Sequence, residues 1–261
     1  MLKLNKITKY FEINTVNEKL VIDNLSLDIN DRDFICIVGA NGSGKSTLLN
    51  LIAGTIFCDS GQILLNDDDI TLIPEHKRAK YIGRLFQDPM LSTSPGLTIE
   101  DNLFLSSGRG SWLSSIKKED KQLFIEKLKM LNIGLENNLK QNVGSLSGGQ
   151  RQALALLMAT INPPQILLLD EHTAALDPGS QERVMQLTKD IVESNKITCL
   201  MVTHDMKQAL KTGNRLIMMN EGNIVLDIAG EEKYNMSVDD LVKRFNQNVS
   251  KDLSSDRLLL G

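Results

Sequence analysis

Phe34-Ile35-Cys36-Ile37-Val38-Gly39-Ala40-Asn41-Gly42-Ser43-Gly44-Lys45-Ser46-Thr47 is the stretch that decides the fold. It opens on a continuous apolar, β-rich run, which predicts a strand buried on both faces, as in a parallel sheet. Gly39 to Ser46 fit G-x-x-x-x-G-K-[ST], the loop whose backbone N–H groups cradle phosphates. Lys45 to Ala53 then reads as a helix stopped by Gly54. Strand, glycine loop and helix in that order are the context such a loop requires. Gly42 and Gly44 let the backbone approach phosphates, and the helix directs its positive end at them. Lys45 is expected to reach the β- and γ-phosphates, and the Ser46 hydroxyl to ligate Mg²⁺. A plain glycine-rich turn would not need Lys and Ser there. The expected nucleotide-binding residues of this loop are Gly39, Asn41, Gly42, Ser43, Gly44, Lys45, Ser46 and Thr47.

Two further strings lie far along the chain. Leu146-Ser147-Gly148-Gly149-Gln150 is not needed by a phosphate loop for its own folding. A chance phosphate-loop match in this length has a probability on the order of 1%, and a chance copy of the second string one well under about 0.1%. Ile166-Leu167-Leu168-Leu169 ends in Asp170 and Glu171. That pattern is a buried strand delivering Asp170 to a metal, with Glu171 placed one residue further to polarise an attacking water. Strand ends commonly carry acids, so this third motif gains its weight from the phosphate loop before it.

Together these strings resemble the ATP-binding cassette (ABC) family, over roughly residues 2 to 230. The resemblance implies a site that closes only between two copies of the chain. Ser147, Gly148, Gly149 and Gln150 of one subunit would complete the ATP site that Gly39 to Ser46 build in the other, so a two-fold homodimer would hold two ATP molecules. It also implies roles for single residues. Gln87, in Leu85-Phe86-Gln87-Asp88-Pro89, resembles the Q-loop glutamine that senses Mg²⁺ and water. Ala174-Ala175-Leu176-Asp177 resembles the D-loop, which brings Asp177 to the nucleotide. His204, in Val202-Thr203-His204-Asp205, resembles the switch histidine that touches the γ-phosphate. A lone His at a strand end is more often a satisfied surface residue; its place one strand after Asp170 reverses that. Phe11 matches the aromatic that stacks on adenine, with Tyr10 as its competitor. The implied catalytic set is therefore Glu171, His204, Gln87 and Lys45, and the implied Mg²⁺ ligands are Ser46, Gln87 and Asp170. Two positions depart from the family pattern: His172 stands where Pro is common, and Ala174 where Ser is. Both bear on coupling between the two sites.

The bulk numbers agree with such a chain. Its 261 residues suit one large domain or two small ones, and 41% hydrophobic residues support a sizeable core. A net charge of −4 weighs against nucleic acid as a main partner. Cys36, Cys58 and Cys199 lack C-x-x-C spacing; Cys36 and Cys199 sit in apolar runs and read as buried free thiols. No signal-peptide pattern, lipidation motif or apolar run of roughly 18 residues is visible, so a membrane role would come through a partner.

The fold class that follows is α/β: a P-loop NTPase (RecA-like) core with a mixed sheet, an N-terminal antiparallel β subdomain and an inserted α-helical subdomain. The chain 1–261 reads as one ABC nucleotide-binding domain. Residues 1–88 and 163–230 form the core, 89–162 the helical subdomain and 231–261 a C-terminal helical tail. Ile197 to Val202 reads as a further central strand. The segments before Ile35 and from Gln62 to Asn66 read as antiparallel strands. Leu154, Leu157, Met158 and Ile161 make one apolar helix stripe, while Phe124, Leu128 and Leu131 share another face. Asp177-Pro178 is an N-cap followed by Pro at N1, opening a helix buried through Val184, Leu187 and Ile191. Trp112 reads as part of a half-buried surface loop.

The resemblance implies an importer ATPase subunit at the cytoplasmic face of the inner membrane, peripheral, serving integral permease subunits and, through them, an extracytoplasmic substrate-binding protein. The permease contact is expected near Gln87 to Asp101, with Glu100 and Asp101 as its surface charges. The string from Asp170 to Asp177, with Leu156 to Thr160 before it, resembles a branch with members linked to aromatic amino acids, so an amino acid is the expected cargo. An exporter ATPase and a soluble ABC ATPase are the alternatives.

Overall fold

The structure, a computed structural model, describes residues 1–109 and 115–259, with side chains as far as 248. Trp112 lies outside the described residues. The chain divides into two compact units, Met1–Ile82 with Thr198–Gly261, and Gly83–Ile197.

The first unit begins with β1 (Leu2–Phe11), β2 (Lys19–Ile29), β3 (Phe34–Gly39), α1 (Lys45–Ala53), β4 (Ser60–Leu65), β5 (Asp68–Asp69) and α2 (Glu75–Arg78). Within and beyond β6 (Ile82–Leu85) comes the second unit, with α3 (Ile99–Ser106), α4 (Lys118–Lys129), α5 (Gly148–Thr160), β7 (Ile166–Asp170) and α6 (Pro178–Ser194). The chain then returns to the first unit through β8 (Thr198–Val202), α7 (Met206–Lys211), β9 (Arg215–Asn220), β10 (Asn223–Ala229), α8 (Gly230–Tyr234) and α9 (Val238–Leu259). β5, β6, β9 and β10 are strands beyond those the sequence patterns predict. Among the described residues, no helix is long and apolar enough to cross a membrane.

In the first unit an antiparallel sheet has the order β2-β1-β4-β5. Its β1–β2 register runs Leu4 opposite Leu27, Ile7 opposite Leu25 and Lys9 opposite Ile22. An extra residue thus enters first β1 and then β2. Lys6 (φ 49°) and Asn24 (φ 45°) are those residues. Each bulge flips the side-chain parity, so Leu2, Leu4 and Ile7 all point inward, as do Ile22, Leu25 and Leu27. Hydroxyls satisfy the freed amides: Lys6 N–H donates to Ser26 Oγ and Asn24 N–H to Thr8 Oγ1. Gly61 of β4 lies against the first bulge, where a Cβ would come 2.4 Å from the Lys6 carbonyl oxygen.

Beside it, β10-β9-β3-β8 form a mixed arrangement, with β3 parallel to both β8 and β9 and β10 antiparallel to β9. Phe34 to Val38 are all buried, as a strand covered on both faces must be. Cys36 and Cys199 are buried and in no disulfide, and the Cys36 thiol donates to Thr212 O at 3.0 Å.

Arg78 holds α1. It is 1% exposed. Its Nε donates to Ile73 O, Nη1 to Leu51 O and Ile52 O, and Nη2 to Ile70 O and Thr71 O. All five guanidinium donors are therefore spent on backbone carbonyls, two of them at the α1 C-terminus, where carbonyls lack intrahelical partners. Gly54 closes that end at φ 79°, and a Cβ there would lie 2.7 Å from Arg78 Nε.

In the second unit α5 is buried on more than the anticipated stripe. Leu154, Leu157 and Ile161 are buried and Met158 half-buried, but Gln152, Ala153 and Leu156 are buried too, because α3, α4 and α6 all pack on it. The expectation that Glu100 and Asp101 offer open surface charge is corrected here. Glu100 is 9% exposed and pairs with Lys121 at 3.0 Å. Asp101 is consumed in a capping box with Thr98, the N-cap of α3. Asp177 caps α6 as expected, accepting from Ser180 N–H, with Pro178 at the first position. His172, just after β7, is 2% exposed, with its Nε2 3.1 Å from Thr188 Oγ1 on α6.

Two stability outcomes follow. Arg78→Met should leave the α1 and loop carbonyls unsatisfied and lower the unfolding free energy by about 4 kcal/mol, with Arg78→Lys losing less, in urea titrations at unchanged slope. Burial lowers the His172 pKa from 6.5 to about 4. The unfolded state therefore binds more protons between those values, so stability falls as pH drops from 6.5 to about 4 and levels off below. Relative to His172→Gln, wild type should lose up to about 3 kcal/mol across that window.

Candidate functional site

In the first unit, the candidate groups gather at the C-terminal ends of neighbouring parallel strands, where open α/β sheets bind ligands. β3 ends at Gly39, where a Cβ would sit 2.3 Å from Met219 O and 2.7 Å from Ser43 Oγ. The chain then turns through Gly42 (φ 81°) and Gly44 (φ 99°) into α1. Gly44 rests on β2, where its Cβ would meet Ile22 at 2.8 Å and Val21 O at 2.9 Å. A Cβ at Gly42 would enter open space, so there the backbone conformation and not packing asks for glycine. Asn41, Gly42 and Ser46 are exposed and Thr47 half-buried.

The loop is electrostatically suited to an anion. No acidic residue occupies the first turn of α1, so its positive end is uncompensated. Lys45 is buried, and its Nζ donates to Gly39 O and Ala40 O, both at 2.8 Å. Ser43 Oγ is buried with no hydrogen-bond partner among the described residues. An orphaned buried hydroxyl is costly unless a ligand uses it. These features fit a polyphosphate.

Thr203 N–H donates to Ile37 O at 3.1 Å, which places the turn after β8 beside the end of β3. His204 in that turn is exposed. Its neighbours are fixed: Asp205 caps α7 through Gln208 N–H, and Thr203 Oγ1 accepts from Asp205 N–H. Phe11 ends β1 opposite Lys19, is 39% exposed, and has Lys9 Nζ 5.7 Å from its ring centre. Tyr10 is half-buried. Exposure thus favours Phe11 for stacking.

The second unit carries the other candidates. Gln87 is exposed, just beyond β6, and β6 neighbours β7. β7 delivers Asp170 at its end, and Glu171 follows at φ 44°, in the left-handed region that non-glycine residues rarely occupy. Ser147 is the N-cap of α5, where its hydroxyl accepts from Gln150 N–H and the Gln150 side chain accepts from Ser147 N–H. The string that reads as a nucleotide contact is therefore also a capping box, a second function that its S-x-x-Q spacing makes legible. Ser147 and Gly148 are exposed at this helix end, again with no acid in the first turn. Gly149 abuts α6, and a Cβ there would lie 2.7 Å from Ser180 Oγ. Asp177 is exposed; hydrogen bonds from the Ser180 hydroxyl and amide hold its carboxyl below the usual carboxylate range.

Among the described residues no group of three or more His, Cys, Asp and Glu side chains could hold a metal by itself. Mg²⁺ commonly takes one or two protein groups plus substrate phosphates, and the exposed Ser46 of the first unit is an oxygen donor of that kind. Sequence reasoning missed the Thr188 contact of His172 and the Arg78 clamp. Neither has a local signal, because Thr188 is 16 residues from His172 and the α1 carbonyls are 26 and 27 residues from Arg78.

The ABC transporter family model matches residues 22–174. A tyrosine transport ATP-binding protein of Clostridioides difficile (strain R20291) is 43% identical over 251 residues, spanning 95% of this chain and 100% of that protein. A spermidine/putrescine import ATP-binding protein, PotA of Vibrio cholerae, is 33% identical over 99% of this chain, which spans 65% of that longer protein. Among solved structures, the dimeric cassette MJ0796 in a post-hydrolysis state with ADP and Pi superposes with a TM-score of 0.75 at 30% identity, covering 88% of this chain and 98% of that one. The ADP form of the cassette MJ1267 gives a TM-score of 0.77 at 26% identity, covering 94% and 98%. The chain belongs to the ABC transporter family, as an ATPase subunit of the importer type.

Proposed function

We propose that two copies of this chain hydrolyse Mg-ATP at a head-to-tail interface and thereby drive a separate membrane permease. The carrying observation is the pair of acid-free helix N-termini, at Gly44 and at Ser147, the first flanked by exposed Gly42 and Ser46 and the second opening on exposed Ser147 and Gly148. One cradles the phosphates in its own subunit. The other, with Ser147 and Gly149, completes the site of the partner copy. The dimeric relative supports that arrangement.

The residues divide the chemistry. Lys45 leaves the carbonyls of Gly39 and Ala40 for the β- and γ-phosphates, and the Ser43 hydroxyl gains its missing partner there. Ser46, Asp170 and Gln87 would hold Mg²⁺, which would supply positive charge to the phosphates. Phe11 stacks on adenine. Glu171 orients a water and accepts its proton as the water oxygen bonds to the γ-phosphorus. The bond to the β,γ-bridging oxygen breaks, leaving ADP and phosphate. His204 touches the γ-phosphate, and Asp177 lines the interface. ATP favours the closed dimer, and hydrolysis removes that preference.

The permease would receive the cycle of closing and reopening at the cytoplasmic face of the membrane, with an extracytoplasmic binding protein supplying the cargo. An aromatic amino acid, tyrosine foremost, is the proposed cargo. The support is 43% identity across the whole of a relative named for tyrosine transport.

Glu171→Gln keeps the shape of the site but removes the base. Hydrolysis should fall by about 10²-fold or more while ATP binding persists and stabilises the dimer; size-exclusion chromatography with ATP and a phosphate-release assay test both, and near-normal turnover would refute the assignment. Deleting the gene should abolish high-affinity uptake of labelled tyrosine in the native cells. Loss of spermidine uptake with tyrosine uptake intact would move the cargo to the class of the PotA relatives.

A further inference from the structure

Glu171 occupies a left-handed backbone conformation (φ 44°). Non-glycine residues rarely adopt it, and it persists only where the surroundings impose it. On the N-terminal side, β7 imposes it through fully buried Leu167, Leu168 and Leu169. On the C-terminal side the next residue is His172, 2% exposed, and its ring touches Thr188, which is 0% exposed.

The direction of that hydrogen bond can be deduced. Thr188 Oγ1 donates to Val184 O at 2.8 Å. A hydroxyl has one proton, so toward His172 at 3.1 Å it can only accept. The imidazole therefore carries its proton on Nε2 and donates it to Thr188. The contact has one polarity and fixes the ring plane. Because the ring is fixed to α6, the peptide joining Glu171 to His172 has little freedom. The Glu171 carboxylate then leaves the backbone in a set direction. The turn that follows is closed by Ala174 N–H donating to Glu171 O at 3.0 Å.

We propose that His172, through its Nε2–H bond to Thr188, is the positioning residue for Glu171: it holds the base in its strained conformation and ties its aim to helix α6. This rests on the reading of Glu171 as the base. If the anchor is released, Glu171 relaxes toward a right-handed conformation and the carboxylate swings off line. A misplacement of about 1 Å can lower turnover 10²-fold.

The test is steady-state Mg-ATP hydrolysis by the purified full chain, normalised to the fraction that binds nucleotide. Thr188→Val keeps the shape and removes the acceptor. It should lower kcat about tenfold or more with KM for ATP within about twofold, whereas Thr188→Ser should stay within about threefold of wild type. His172→Gln places an amide N–H near Nε2 and should retain far more kcat than His172→Leu, which gives the same comparison from the other partner if Thr188→Val does not fold. On a Glu171→Gln background, Thr188→Val should add no further loss. Equal kcat for Thr188→Val and wild type, equal losses for Val and Ser, or a full additional loss on the Glu171→Gln background would each overturn the positioning role. Near-normal turnover of Glu171→Gln alone would instead overturn the base assignment beneath it, so the two failures are distinguishable.

Discussion

The guanidinium of Arg78 spends every donor it has on backbone carbonyls, and two of those carbonyls end the helix that follows the glycine loop. A short helix has little stability of its own; α1 needs its last turn satisfied and its apolar side buried. Arg78 and Gly54 do the first, and buried Leu48, Leu49, Leu51 and Ile52 do the second. With the C-terminal end held and buried, the opposite end is free to present unsatisfied N–H groups and a positive potential to the loop. The interior of β3 anchors the loop from its other side. The phosphate end is in this way organised before any ligand arrives, with Ser43 Oγ already desolvated and waiting for a partner.

Helix N-termini recur as the economy of the chain. Thr98 with Asp101, Ser147 with Gln150, and Asp177 with Ser180 each close a helix start by a side chain that accepts from a backbone N–H. The three differ in what they leave over. Asp101 puts a carboxylate on its helix end and cancels the local positive potential. Ser147 and Gln150 are neutral, so the end of α5 stays attractive to an anion while its amides are partly satisfied. That difference separates a helix start that only folds from one that can also receive phosphate. Gly149 adds a geometric demand of its own, because Ser180 leaves no room for a side chain.

Glu171 is strained at the proposed chemistry, as Lys6 and Asn24 are at the sheet bulges. Glu171 follows a strand whose burial is complete and precedes an imidazole locked to α6. Rigid elements on both sides can hold an unfavourable backbone angle that a mobile loop would release. α6 also begins at Asp177, so the aim of the carboxylate and the geometry of the D-loop string share one helix.

The strand, the glycine loop and the helix from Lys45 to Ala53 were legible because each rests on local rules: continuous apolar burial, positive-φ glycines, a stop at Gly54. The caps at Asp177 and Ser147 are likewise local, written in residues three apart. β6 escaped because four residues carry little periodicity, and β9 and β10 because no phosphate loop or acid tip marks their ends as they mark β3 and β7. The compensating bulges at Lys6 and Asn24 could not be read from either strand alone; they exist because two apolar patterns of different parity must face the same core. Nothing in Glu75 to Lys80 distinguishes Arg78 from a solvated cation, and Glu100 and Asp101, expected as surface charges, are committed to Lys121 and to a cap. The local chemistry of the phosphate loop, the acid-tipped strand and the helix starts is written in the chain, since it depends on residues close together in sequence. The tertiary structure alone decided which polar side chains are buried and what they hold, Arg78 on α1 and His172 on Thr188, since the free energy of a buried polar group is set by partners that the chain brings to it from far away.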